Sequence, residues 1–437
     1  MLKQTKIVGL LWVAAACMSS CATDQEPEPV ASADASEEAT DDRRNLEAGE
    51  LEFDSGDYRV TPLPTERGAD SPEMGPAIEA ERYADHLVLP HEVNEDISHI
   101  RMSYVYLSAQ DFSGGLFDSQ KPAFEPLSET FVSGYNMEGR NADGTRETRY
   151  RLIRFANPDA AQQAAAAFAD VDRTMGRHLS QQDPIEPGVP VDITGHPEVF
   201  ATQINRQLSV LTTHNEFLIW VEAFNDVALY RLGTEIGTDV QWQHDFVGHF
   251  LDQQVPQLDA IVTHITEDGY GTSPSWQPLD PEELLKYTVI APPDRTDPRF
   301  NPVTINARNA AGRHTDSKAV FDILNDGGVD IVGRNVSSVY RGRDEDSAAQ
   351  MLQSFTQHYL DAGYMTYEDP QGIPDTTCLT RDETSGPSFT CFMVHGRYFA
   401  IASEKEKSND FSREELRYQL SQIMAAQYKM FQQMPVN

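Results

Sequence analysis

The stretch TRYRLIRFANPDAAQQAAAAFADVDRTM, Thr148 to Met175, changes its period partway along. Residues 148–155 alternate as a strand does, and the helical run after them opens with Asn157 as cap and Pro158 at the first helical position. The same change recurs in VSSVYRGRDEDSAAQMLQSFTQHYLDAG, Val336 to Gly363. There Asp344 is the cap, and Met351, Leu352, Phe355, Tyr359 and Leu360 share one helical face. The two junctions align residue for residue, Arg154-Phe155-Ala156-Asn157 against Arg341-Gly342-Arg343-Asp344.

The elements that follow repeat as well. Beyond the first junction come candidate strands EVFATQ, LSVLTTH and EFLIWVEAF, then a closing helix from about Asp239 that continues past Pro256. Beyond the second come TTCLTR, SFTCFMVH and RYFAIAS. A last helix is opened by a Ser412/Glu415 capping box and carries an apolar stripe of Leu416, Leu420, Ile423, Met424 and Phe431. This order predicts an internal duplication. The fold class is α+β: two similar modules, each an antiparallel sheet with helices packed on one face, the other face being left for a partner. Gly, Ser and Pro concentrate in GYGTSPSWQPLDPEE, Gly269 to Glu283, which puts the domains at 51–270 and 271–437. Two accessory helical segments, SPEMGPAIEAERYADHL and TDSKAVFDILNDGG, read as the start of each half; Asp316 caps the second and Gly327-Gly328 stops it.

Ahead of both modules, Lys3 and Lys6 precede an apolar run from Ile7 to Ala16, too short for a permanent membrane span but suited to an export signal. It leads into AAACMSSCATDQEPEP, Ala14 to Pro29, where small residues run directly into cysteine, the pattern of a lipoprotein signal peptide. Residues 1–20 are the expected signal. Cys21 is the favoured site of lipidation because it sits at the usual distance from the lysines, and Cys17, preceded by three alanines, is the alternative. An ordinary cleaved signal with incidental cysteines is the plainer reading. At about 0.8 kcal/mol per buried methylene, a diacyl anchor makes attachment effectively permanent. Residues 21–50 lack aromatics and are rich in Asp, Glu, Ala and Pro, so they read as a disordered acidic tether. The expected location is the extracytoplasmic face of the cytoplasmic membrane.

The chain has 437 residues, with 34 Lys+Arg against 69 Asp+Glu and a net charge of −35. That balance argues against nucleic acid and against anionic lipid surfaces, both of which reward basic patches. Of the four cysteines, Cys378 and Cys391 bracket CLTRDETSGPSFTC, most simply a disulfide joining two strands across a Gly-Pro turn and contributing about 3 kcal/mol in the chain-entropy model. Metal binding there would want further ligands, and only His395 is near.

No catalytic set stands out, and no cofactor or metal is expected. His244 and His249 lie five apart on one helix, about 140° around its axis, without the carboxylate of a zinc pair. TDSK, Thr315 to Lys318, echoes S-x-x-K only superficially and reads as a helix N-terminus. Phosphate-binding glycine loops and G-x-S-x-G elbows are missing from the sequence. Trp220, Tyr230 and Trp242 could stack on sugars, although the apolar surroundings of Trp220 favour a core role. An acid pair for glycoside cleavage is not identifiable among 69 acids.

Taken together, FDSGDYRVTP (Phe53 to Pro62), AERYADHLVLPHEV (Ala80 to Val93), the TDSKAVFDILNDGGVDIVGRNVSSVYRGRDEDSAAQML stretch, the lipoprotein signal and the cysteine hairpin resemble a family of uncharacterised two-domain envelope lipoproteins from mycolic-acid-containing actinobacteria. The resemblance implies membrane anchoring and a two-part extracytoplasmic body, and it carries no catalytic residues. The expected function is therefore a non-catalytic binding module for a cell-wall, lipid or protein ligand, with an envelope hydrolase as the alternative.

Overall fold

The computed structural model describes residues 54–63, 74–176, 187–225, 239–261, 280–292, 302–370, 372–383, 386–405 and 412–435. The expected signal peptide, both candidate lipidation cysteines, the tether, Tyr230 and most of the Gly269 to Glu283 boundary lie outside the described residues.

In the first half, α1 (Met74–Tyr83) and α2 (Pro90–Val93) precede β1 (His99–Tyr106). Two short helices, α3 (Ala109–Gly114) and α4 (Lys121–Phe124), lead to β2 (Phe131–Arg140) and β3 (Arg146–Phe155), then α5 (Pro158–Thr174). There follow β4 (Val189–Pro190), β5 (Phe200–Ile204), β6 (Gln207–His214), β7 (Phe217–Asn225) and α6 (Gln241–Leu258). The second half runs β8 (Val303–Ile305), α7 (Ala307–Ala311), α8 (Ser317–Asp326), β9 (Ile331–Arg334), β10 (Ser337–Arg341), α9 (Glu345–Asp361), β11 (Met365–Tyr367), β12 (Thr376–Glu383), β13 (Gly386–His395), β14 (Tyr398–Lys405) and α10 (Arg413–Phe431).

The sheets are ordered β1-β2-β3-β7-β6-β5-β4 and β8-β9-β10-β14-β13-β12-β11, antiparallel throughout. Adding seven to each strand of the first sheet reproduces the second, so one seven-stranded topology occurs twice. The register is equally faithful. Arg154 pairs with Phe217, and Arg341 with Tyr398. The hairpins beside them turn at Asn215 and Gly396, each with a positive φ of 52°, a left-handed conformation that Asn tolerates and Gly adopts freely. Asn157 accepts a hydrogen bond from Ala160 N and Asp344 from Ser347 N, so both crossover helices start on equivalent caps.

Helices cover both faces of each sheet rather than gathering on one. In β7, Leu218 and Trp220 face a core with Phe168 of α5, whereas Phe217, Ile219 and Val221 face one with Phe246 and Phe250 of α6. In β14, Phe399 and Ile401 meet Phe355 of α9, and Ala400 and Ala402 meet Leu420 and Ile423 of α10. The reason is visible in the strands: EFLIWVEAF is apolar at successive positions, which only a doubly covered strand can bury. No wholly open sheet face is left for a partner among the described residues.

The accessory helices are not equivalents. α1 precedes β1, whereas the TDSKAVFDILND segment forms α8, inserted after β8 where the first half has α3 and α4. One apolar core runs through both halves, from Tyr150 and Phe250 to Phe355 and Phe399. Ile100 N donates to Thr315 O at 2.7 Å, adding a backbone bond across the seam. Residues 54–63 fall within the expected 51–270 domain, yet they pack on the second half. Tyr58 enters the α10 core, Gln433 Nε2 donates to Val60 O at 2.7 Å, and Leu63 N donates to Lys286 O.

Candidate functional site

The segment carrying α1 places chemistry on two sides. Glu81 and Asp85, four apart, face the second half. Glu81 is ion-paired with Arg313 and reaches Arg334 Nη1 at 3.4 Å, and its carbonyl accepts from Asn309 Nδ2 at 2.6 Å. Asp85 Oδ1 accepts from Asn306 N and Asn309 Nδ2, both at 3.0 Å. These contacts hold the two modules together.

The same segment lines a cleft of about 330 Å³ with Glu79, Arg82, Tyr83, Asp85 and His86, closed by Ala260 and Ile261 just beyond α6. Glu79 is held by Arg154, which is wholly buried between two carboxylates. Its Nη1 pairs closely with Glu79 Oε1 and its Nη2 donates to Glu216 Oε1 at 3.0 Å. Glu79 is only 6% exposed, and its second carboxylate oxygen, Oε2, is buried without a hydrogen-bond partner among the described residues. The Tyr83 hydroxyl lies 3.2 Å from Ser133 Oγ, and its ring meets Phe217 edge-on.

Burial dominates the electrostatics. It pushes Glu79 up to about 7 against the opposing pull of Arg154, with Glu216 reinforcing the rise. It raises Asp85 to about 6 despite its hydrogen bonds from Asn306 and Asn309. Burial and then Arg308 lower His86, and burial lowers Arg82.

A second polar arrangement crosses the α5 face of the first sheet. Arg101 Nη1 meets Glu138 Oε2 at 3.2 Å, and Arg149 Nε meets Glu138 Oε1 at 2.6 Å. Arg149 and Arg151 then share Glu222, at 3.5 and 3.0 Å, and Gln207 completes that carboxylate at 2.6 Å. Arg151 lies 4.5 Å over the Trp220 ring, so the wholly buried Trp220 serves the core. Beside this ladder the amide of Asn136 is fully buried, with neither atom bonded among the described residues.

The remaining residues singled out by sequence are dispersed. Trp242 is buried and donates to Asn225 Oδ1 at 2.9 Å. His244 and His249 stand on α6, and among the described residues no group of three or more metal-ligating side chains converges. Asp316 caps α8 and Lys318 pairs with Asp322 at 2.9 Å, so the TDSK stretch is a helix start. Cys378 and Cys391 face each other across β12 and β13 and are joined by a disulfide, buried against α10. Sequence reasoning did not single out Glu79, Arg154 or Glu216 as a site. The only local signal was the dense run of titratable groups in EAERYADH, and their convergence with residues 75 and 137 positions away is tertiary.

The N-terminal part of the domain of unknown function DUF7373 matches residues 66–269, and its C-terminal part matches residues 284–433. Among solved structures, the extracellular domain of PknH from Mycobacterium tuberculosis is a distant likeness: 14% identity and a TM-score of 0.28, covering 46% of this chain and 100% of that one. No curated protein matches.

Proposed function

The chain belongs to the two-part DUF7373 family of unknown function, and from that premise we propose that it is a lipid-anchored, extracytoplasmic binding protein whose cleft beside α1 takes a small polar ligand. The observation that carries the reading is the cleft itself, about 330 Å³ in volume and lined by the carboxyls of Glu79 and Asp85 together with Arg82 and His86. The disulfide supports an oxidising compartment outside the cytoplasm. The anchor rests on the cysteine pattern at the head of the chain, with Cys21 the lipidated residue and Cys17 the alternative.

The test is mass spectrometry of protein extracted from its native membrane, with peptide mapping of the N-terminus and native spectra of the intact chain. A diacylglyceryl group on Cys21 and a co-purifying small molecule, lost in Glu79→Gln, are expected. An unmodified N-terminus would overturn the anchor, and a native chain with no bound molecule would count against the cleft.

Hydrolysis is the second reading, favoured by one observation: two carboxyls of raised pKa, Glu79 and Asp85, line the same cleft. Against it, Asp85 is held by Asn306 and Asn309, and Glu79 already shares Arg154 with Glu216.

A further inference from the structure

We infer that the cleft beside α1 takes a short extended peptide segment of a partner protein, laid along it as residues 60–63 lie in the second module; this deepens the binding reading above and rests on it. The duplication supplies the comparison. Gln254 of α6 is wholly buried, donates to His86 O and accepts from Val88 N, both at 2.9 Å. Gln427 of α10 is wholly buried, donates to Tyr287 O at 3.0 Å and accepts from Ser337 Oγ, which in turn accepts from Val289 N. His86 N returns to Tyr83 O as Tyr287 N does to Leu284 O, and Ile261 N closes on Leu258 O as Met434 N does on Phe431 O. One alignment satisfies all of these bonds. It sets Tyr83, Asp85, His86, Ala260 and Ile261 of the cleft against Leu284, Lys286, Tyr287, Gln433 and Met434.

In the second module that place is filled by the chain itself. Val60 O accepts from Gln433 Nε2 at 2.7 Å, Leu63 N donates to Lys286 O at 3.0 Å, and Tyr58 joins the apolar cluster that holds Leu284, Tyr287 and Met434. In the first module the same place is the cleft of about 330 Å³. Its reachable lining suits a main chain: Ala260 is exposed, and Arg82, Asp85, His86 and Ile261 are partly so. Asp85 O, the counterpart of Lys286 O, accepts from Asn306 Nδ2 at 3.0 Å and keeps a second lone pair for an incoming N–H. Ile261 and the His86 ring replace Met434 and Tyr287 as the wall for an apolar side chain. Ala260 lacks the amide of Gln433, and Arg82, standing where the second module has Glu283, brings N–H donors to the rim instead. Main-chain hydrogen bonds give such a groove its affinity, and the wall gives it a preference among side chains.

The experiment is hydrogen exchange of the full-length chain, read by mass spectrometry, with and without the end-blocked peptide DYRVTPL, the sequence of residues 57–63. Saturable protection of residues 79–87 and 258–261 is the expected result, lost in Ala260→Trp, which fills the cleft from an exposed position. Ala260→Gln with Ile261→Met gives the cleft the two groups found in its counterpart and should tighten binding about fivefold, the worth of one hydrogen bond. Protection confined to residues 280–287 and 432–435, where the peptide displaces the chain's own segment, overturns the inference. Binding at 79–87 that Ala260→Trp leaves unchanged does so too. Protection of 79–87 that grows with protein concentration in the absence of peptide gives the cleft to a second copy and overturns the partner. A wild-type cleft silent to the peptide, in a chain that co-purifies with a non-peptide molecule, overturns the peptide and leaves the binding reading standing. Silence with no bound molecule defeats both.

Discussion

The two modules share a strand order and a register, yet they differ at the same structural positions. Arg154 and Arg341 occupy one place, at the end of the third strand of each module. The first is wholly buried between Glu79 and Glu216; the second lies nearer solvent between Asp330, at 2.7 Å, and Glu282, at 3.3 Å. In each case one acid comes from the segment that precedes the module's first strand. The hairpin residue beside Phe217 is Glu216, and the one beside Tyr398 is Arg397, a reversal of charge at an equivalent turn. By register, Cys378 and Cys391 stand where the first module has Ala201 opposite Val210. Caps and turns that the backbone requires are shared, whereas the side chains that the backbone leaves open have diverged. Both modules carry aromatic clusters, Phe112, Phe124 and Phe168 in the first and Phe355, Phe392 and Phe399 in the second; the first adds buried charge and the second a disulfide.

The largest effect expected from this contrast is at the paired arginines. Arg154→Met strands two carboxylates in a dry site and should cost about 3–5 kcal/mol in urea unfolding, while Arg341→Met, at a partly solvated pair, should cost about 1 kcal/mol or less. Equal losses would erase the distinction between the two sites. Next comes the disulfide: Cys378→Ser with Cys391→Ser should lower stability by about 3 kcal/mol, with hydrogen exchange rising in β11–β14 before it rises in the first sheet. Conversely, Ala201→Cys with Val210→Cys should close a disulfide in the first module, and two free thiols under oxidising conditions would show that the registers are not interchangeable.

A smaller effect is the pH dependence of the first module. Burial raises Glu79 to about 7 and Asp85 to about 6, so the folded state keeps protons that the unfolded chain has already released. Unfolding therefore sheds protons over that interval, and stability falls as pH rises from the ordinary carboxylate range to about 7. Denaturation midpoints at about pH 5 and about pH 8 should show this fall, and Glu79→Gln should remove part of it; a rise with pH would refute the assignment. The smallest effect is at Asn136, whose register counterpart Arg334 spends its charge on Glu81 at the seam. Asn136→Leu replaces an unbonded amide with an apolar group of similar size and should stabilise by about 1 kcal/mol. Destabilisation there would reveal an occupant bonded to that amide.

Much of the architecture was legible because the relevant signals are local. Asn157 and Asp344 were readable as caps, the Ser412/Glu415 box formed, and α6 continued through Pro256. The strands β1 and β2 went unread because HIRMSYVY and FVSGYNMEGR carry charge and glycine where a strand usually shows plain alternation. Their polar positions make sense only in the sheet, where Arg101 and Glu138 meet across neighbouring strands.

The amino-acid sequence alone determined the order of elements, their caps and turns, the duplication and the spacing of the paired cysteines, since each depends on residues within a few positions of one another. Tertiary structure decided which faces the helices cover, how residues 54–63 reach the second module, and that Glu79, Arg154 and Glu216 converge. Those outcomes depend on pairings across tens to hundreds of residues, and periodicity carries no information about which distant carboxylate a buried arginine will find.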